Sequence, residues 1–161
     1  YTERIAVVHA DHRLDYFTAS RWGVTADLMV QSLLVESLRN TGRLASVQND
    51  LSAFNAQYLL QTELRAFQAE YSSEGAMPLV RVGLVCTLGR LRAREPITEY
   101  AVNAEMPAAA NTMQAVIAAF EAAYQQAAGA LVDRALTELA RAEAESAAPP
   151  ATVPPVATPG S

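Results

Sequence analysis

The chain has no lysine: all 12 basic residues are arginine, set against 17 acidic ones for a net charge of -5. With a pI near 5.0 it lacks the concentrated positive field that neutralises phosphates, which argues against a nucleic-acid binder. A single cysteine, Cys86, excludes an intrachain disulfide framework and any multi-cysteine zinc site. No uninterrupted apolar run reaches the roughly 18 residues of a membrane span. No G-x-S-x-G nucleophile elbow occurs, and Gly75, Gly83 and Gly89 are too scattered for a phosphate-binding loop. Tyr1 opens the chain without the Met, basic stretch and apolar stretch of a signal peptide, so any targeting segment is expected upstream.

What is present suits one globular domain. Hydrophobic residues make up 51% of the 161 and charged residues 18%, enough apolar surface to bury about two-thirds of what the unfolded chain exposes. The run 3–10 is β-prone, and Leu14, Tyr16 and Phe17 follow a polar break at Asp11, His12 and Arg13, the pattern of a short hairpin. Ala26, Val30, Leu33, Leu34 and Leu38 recur at helical steps, so a helix is expected over 22–40, stopped by Gly42. Residues 44–47 read as a short edge strand.

Period-two alternation then dominates. Tyr58, Leu60, Thr62, Leu64 and Ala66 oppose Gln61, Glu63 and Arg65. Val80, Val82, Leu84, Cys86 and Leu88 oppose Arg81, Gly83 and Thr87, and Tyr100, Val102, Ala104 and Met106 oppose Glu99, Asn103 and Glu105. Three long antiparallel strands with one wet face explain this pattern. Asn111, with Gln114 three residues on, has the form of an N-cap with a reciprocating amide. A helix over 111–141 then carries the stripe Met113, Val116, Ile117, Phe120, Tyr124, Ala127, Leu131, Ala135 and Leu139. The expected fold is α+β: an antiparallel-rich sheet with two main helices packed on one face. The domain is expected over 1–146, with a flexible Ala/Pro-rich tail over 147–161.

Chemistry-bearing residues are few. His9, His12, Asp11 and Asp15 could in principle ligate a metal, but at a hairpin tip they read more simply as solvated side chains. Cys86 shares a strand face with aliphatic residues and is expected buried and inert. Glu63, Glu99 and Glu105 could pair across the sheet as acid and base. Arg65, Arg81 and Arg90 on the same surface favour a solvated face of cross-strand ion pairs instead. Arg21 and Trp22, at the entrance to the first helix, are a residue pair enriched at binding hot spots. The plainer alternative is that Trp22 staples the helix start to the sheet.

Tyr1-Thr2-Glu3-Arg4-Ile5-Ala6-Val7, Leu14-Asp15-Tyr16-Phe17 leading to Arg21-Trp22, and Leu34 through Gly42-Arg43-Leu44 occur in that order. Tyr58 through Phe67, then Glu105-Met106-Pro107 followed by Val116 through Phe120, complete the series. Together they resemble the ABC-type transport auxiliary lipoproteins that accompany MCE-domain lipid transporters in Gram-negative bacteria, with the likeness extending to about Arg141. The resemblance implies a non-catalytic periplasmic accessory without a cofactor, working with an MCE protein and an ABC permease and ATPase. It also implies a lipid anchor in the outer membrane upstream of Tyr1. Cys86 cannot be the lipidated cysteine, because Val85 precedes it and a strand surrounds it. Self-association is a further expectation, and Arg21 and Trp22 are the candidate partner-binding residues. Two other classes remain open: a carrier enclosing an apolar pocket of several hundred cubic ångströms, and an enzyme with perturbed ionisable groups in a cleft.

Overall fold

A computed structural model describes residues 4–9, 11, 13–21, 25–49 and 56–147. In chain order the elements are β1 (Arg4–His9), β2 (Leu14–Arg21), α1 (Ala26–Asn40), β3 (Tyr58–Tyr71), β4 (Leu79–Arg90), β5 (Glu95–Pro107) and α2 (Met113–Ala147). The five strands form one mixed sheet in the order β2-β1-β3-β4-β5. All neighbours are antiparallel except β1 and β3. Parallel strands need a long crossover, and α1 lies within it. The α+β expectation therefore holds, as does the opening hairpin. At that hairpin the Arg13 N–H donates to Asp11 Oδ1 at 3.2 Å and the His9 N–H to the Arg13 carbonyl at 3.1 Å.

α1 buries Val30, Leu34 and Leu38, one residue per turn. Leu33, expected in the same stripe, is 37% exposed, because the helix meets its neighbours along a narrower line than its apolar composition allows. Its end is as expected. The Thr41 hydroxyl donates to the Leu38 carbonyl at 2.7 Å, and Gly42 adopts a φ of 64° that favours glycine. The expected strand over 44–47 is absent; the segment is irregular. Arg39 Nε donates to the Val47 carbonyl at 2.9 Å, taking the acceptor a neighbouring strand would use, while Leu44 and Val47 pack on the core.

Both helices cover the same face of the sheet, with Val30, Leu34 and Leu38 in one cluster with the buried residues of β4, β5 and α2. Along β4, Val80, Val82, Leu84, Cys86 and Leu88 are at most 1% exposed, as the alternation required. β3 departs from its expected pattern. Leu64 pairs with Leu84 but Ala66 pairs with Gly83, leaving Arg65 as an extra residue. This bulge reverses the alternation beyond it. Phe67, Ala69 and Tyr71 then face the core, and Ala66, expected there, sits beside Gly83 on the other face.

α2 is capped by Thr112 and not by Asn111: the Ala115 N–H donates to Thr112 Oγ1 at 3.3 Å. Asn111 Oδ1 instead accepts the Tyr71 hydroxyl at 3.0 Å. Six of the twelve buried α2 residues are alanine, which lets the helix axis approach the sheet closely around Phe120 and Leu131. The Phe120 and Phe67 rings lie 4.7 Å apart, centroid to centroid. Ile117, expected in the stripe, is 36% exposed; Ala119 and Ala123 occupy the contact line in its place. By length and composition α2 could cross a membrane, with an 18-residue window of mean hydropathy 1.2, yet half of that window is buried inside the domain.

Adjacent leucines on α1 separate packing from mere hydropathy. Leu34→Ala should cost about 2–5 kcal/mol in urea denaturation, whereas Leu33→Ala should stay within about 1 kcal/mol of wild type. Equal losses would mean that α1 is rotated from the orientation described.

Candidate docking surface

The helices leave the opposite face of the sheet uncovered among the described residues, and its chemistry is organised by Arg81. From the middle of β4, Arg81 reaches both neighbouring strands. Nε donates to Glu70 Oε1 of β3 at 2.9 Å and Nη2 to Glu70 Oε2 at 3.2 Å. Nη1 meets Glu105 of β5 at 2.5 Å. Gln68 Nε2 adds a further bond to Glu70 at 2.9 Å. Desolvation raises the Glu70 pKa, but the bonds from Gln68 and Arg81 and the charge of Arg81 outweigh it and hold the carboxyl below its ordinary value.

Strict alternation from Tyr58 places Glu70 on the dry side. The bulge at Arg65 carries it to the wet side, so the clamp escapes a reading that assumes an unbroken strand. One signal was available in the sequence. The large apolar residues of β3 switch from even positions, Leu60 and Leu64, to odd ones, Phe67 and Tyr71.

The three glutamates considered as acid and base are not brought together. Glu105 lies beside Arg81 and Glu99 beside Thr87, six residues apart along β4, or roughly 20 Å. Thr87 Oγ1 donates to Glu99 Oε2 at 3.2 Å, and Glu63 pairs with Arg65 at 3.0 Å. Arg90, expected on this face, is on the helix side, where Nη2 donates to the Ala142 carbonyl at 3.0 Å. At the centre of the open face the floor is flat. A Cβ on Gly83 would come within 2.9 Å of Asn103 Oδ1 and 3.3 Å of the Ala66 Cβ.

Other candidates are placed as follows. His9 Nε2 lies 3.9 Å from Asp15 Oδ2, with its ring stacked 6.3 Å from that of Tyr71. His12 lies outside the described residues, among which no cluster of metal-ligating side chains forms. Cys86 is fully buried, and burial pushes its thiol pKa up, the reverse of an activated nucleophile. Its neighbour Tyr100 donates to the Leu131 carbonyl at 2.9 Å. Burial likewise pushes Tyr124 up to about 12. Arg21 closes β2, but its side chain and Trp22 lie outside what is described, as does the expected tail beyond Ala147.

Two surface clefts lie among the described residues. One, of about 450 Å³, runs between the C-terminal part of α2 and the β4–β5 hairpin and is lined by Arg90, Glu95, Arg134, Glu138, Arg141 and Glu145 among others. There the Arg134 guanidinium sits 4.5 Å above the Tyr100 ring. The second, of about 400 Å³, lies against Arg39 and residues 44–48. Both are open to solvent, and neither is the enclosed apolar chamber of a lipid carrier.

A family model described as ABC-type transport auxiliary lipoprotein component matches residues 1–132. Protein XCC0632 from Xanthomonas campestris, of the DUF330 family, has a similar structure, with a TM-score of 0.80 at 22% identity over 89% of this chain and 80% of that one. A second, uncharacterized protein superposes with a TM-score of 0.66 at 13% identity over 82% and 80% of the two chains. At these identities the likeness is one of fold. No curated protein matches the chain significantly.

The Arg81 clamp makes a prediction in pH. Because the folded pKa of Glu70 lies below its unfolded value of about 4.5, its stabilisation is present above that pH and is lost as pH falls through the folded value. Partial exposure limits the effect to under about 1 kcal/mol. Urea denaturation should therefore find Glu70→Gln less stable than wild type at neutral pH, with the gap closing as pH falls below the ordinary carboxylate range. A gap that does not change with pH would remove the electrostatic account.

Proposed function

The chain belongs to the ABC-type transport auxiliary lipoprotein family, and from that premise we propose that it is a non-catalytic docking accessory of an MCE-type lipid transporter. A lipoprotein family places it in the cell envelope. In this reading it works in the periplasm, tethered to the outer membrane by a lipid anchor upstream of Tyr1. There it engages an MCE-domain protein served by an inner-membrane ABC permease and ATPase, which move phospholipid or a related hydrophobic molecule. The domain over 1–146 is the docking unit.

The observation that carries the reading, beyond the family itself, is the division of the sheet into two unlike faces. One is sealed by helices over a filled core; the other is open, flat and charged. A carrier that itself holds lipid needs an enclosed apolar cavity; the cleft beside α2 is lined mostly by charged side chains, and the one against Arg39 and residues 44–48 is open to solvent. An open polar face suits reversible association with another protein.

Co-purification of the lipid-anchored protein from envelope membranes tests this: the MCE protein and the permease should accompany it. Lipid extracted from the purified soluble domain should be substoichiometric. A stoichiometric lipid would move the protein into the carrier class, and failure to recover either partner would remove the docking reading.

Arg21 and Trp22 are proposed as part of the partner surface. Arg21→Ala should weaken association with the MCE protein, or between copies of this chain, while leaving the thermal melt nearly unchanged. Trp22→Ala divides the two roles of that residue by magnitude. A buried staple costs about 3–5 kcal/mol of stability, whereas an exposed anchor costs affinity and little stability. Unchanged affinity and self-association in a folded Arg21→Ala protein would exclude this patch.

A further inference from the structure

β5 is the last strand of the sheet, and which of its backbone groups are free follows from two hydrogen bonds. The Ala108 N–H donates to the Pro78 carbonyl, and the Leu91 N–H donates to the Gln57 carbonyl, both at 2.9 Å. In an antiparallel ladder successive residues point their N–H and C=O alternately to one neighbour and the other. The β4–β5 register is uninterrupted from Leu79–Pro107 to Leu88–Thr98. Tyr100, Val102, Ala104 and Met106 therefore bond to β4, while Glu99, Ala101, Asn103 and Glu105 point their N–H and C=O groups outward. No strand among the described residues meets them.

Proteins blunt such edges with lysine, proline, bulges or a covering loop. Here the prolines stand only at the ends, Pro96 and Pro107, and the chain has no lysine. The strand's one bulge falls at Ile97, so over residues 98–106 only glutamate charges guard the edge. It is also one-signed. β5 carries Glu95, Glu99 and Glu105 and no basic residue, and Glu99 and Glu105 lie on the open face, where Arg81 is already shared with Glu70. On the helix side Val102 and Met106 are only half-buried and pack against the core, as apolar side chains do at a seam where a further strand would cover them.

From this edge we infer that β5 is a strand-addition site for an extended segment of a partner protein that alternates basic and apolar residues. The partner's backbone pairs with the outward groups of Glu99, Ala101, Asn103 and Glu105. Its Lys or Arg side chains fall on the open face opposite the glutamates, and its apolar ones fall beside Val102 and Met106. A second copy pairing through its own β5 is the poorer occupant. Pairing β5 with itself places the glutamates of both strands along one seam with no basic residue on either strand. The inference rests on the docking reading and names the chemistry of the partner.

A capped peptide of about ten residues alternating Val and Lys, with a Val/Glu peptide as control, tests it on the isotope-labelled chain by amide exchange. The Val/Lys peptide should slow exchange at Glu99, Ala101, Asn103 and Glu105 by about tenfold or more, and added salt should weaken the effect. Ala101→Pro removes an outward N–H that the ladder with β4 does not use, so it should melt near wild type and lose the protection. Should that variant fail to fold, Glu99→Lys provides the second measurement, shifting preference toward the Val/Glu peptide. Protection elsewhere, equal binding of both peptides, or a folded Ala101→Pro that still binds would overturn the proposal. Each of these outcomes is independent of whether the anchored protein co-purifies with a transporter, so the edge and the docking reading fail separately.

Discussion

Arg65 is one residue more than β3 needs to match β4, and both surfaces of the domain depend on where that surplus is absorbed. Before the bulge, even-numbered side chains of β3 face the helices; after it, odd-numbered ones do. Phe67 is thereby delivered to Phe120 and Tyr71 to Asn111, tying the far end of the strand to α2. The same shift turns Glu70 toward Arg81. Without it, a carboxylate would enter the core and the guanidinium would lose its bidentate partner, two costs that a sheet with one dry face cannot absorb.

The helix layer imposes a matching constraint. α2 lies close to β4 and β5 because alanines line its contact face, so large side chains of the sheet fill the remaining space. Tyr100 shows how tightly that space is used. Its ring supports the Arg134 guanidinium and its hydroxyl reaches the Leu131 carbonyl, while Cys86 beside it is sealed from solvent. A layer packed this way holds the strands in place and leaves little interior volume for a ligand.

Function therefore falls to the surface that packing leaves over. The open face is balanced locally by ion pairs, and its individual contacts are worth little to stability because they are partly exposed. The same exposure keeps them available to a partner, for which charge sets specificity and encounter rate more than raw affinity. The free edge of β5 adjoins this face, so one partner segment can use backbone hydrogen bonds and charge together.

Much of this was legible in the residues. Alternation in β4 placed five side chains in the core, Gly42 marked the end of α1, and the order of degenerate motifs indicated the family. Hydropathy placed Leu33 beside Leu34 and Ile117 beside Phe120, but it records composition and not the width of the contact line that burial needs. Residues 44–47 have the composition of a strand and lack a neighbour to pair with, because both sheet edges lie elsewhere. The sequence by itself determined the types of the two helices and five main strands, the dry face of β4 and β5, and the acidic, lysine-free character of the surface, since each follows from local periodicity or from composition. Only the tertiary structure decided the side of the sheet on which Glu70 and Ala66 lie, the partner of Arg81 and the free edge of β5. These depend on register between segments distant in the chain, and register is settled by packing against neighbours that local sequence does not contain.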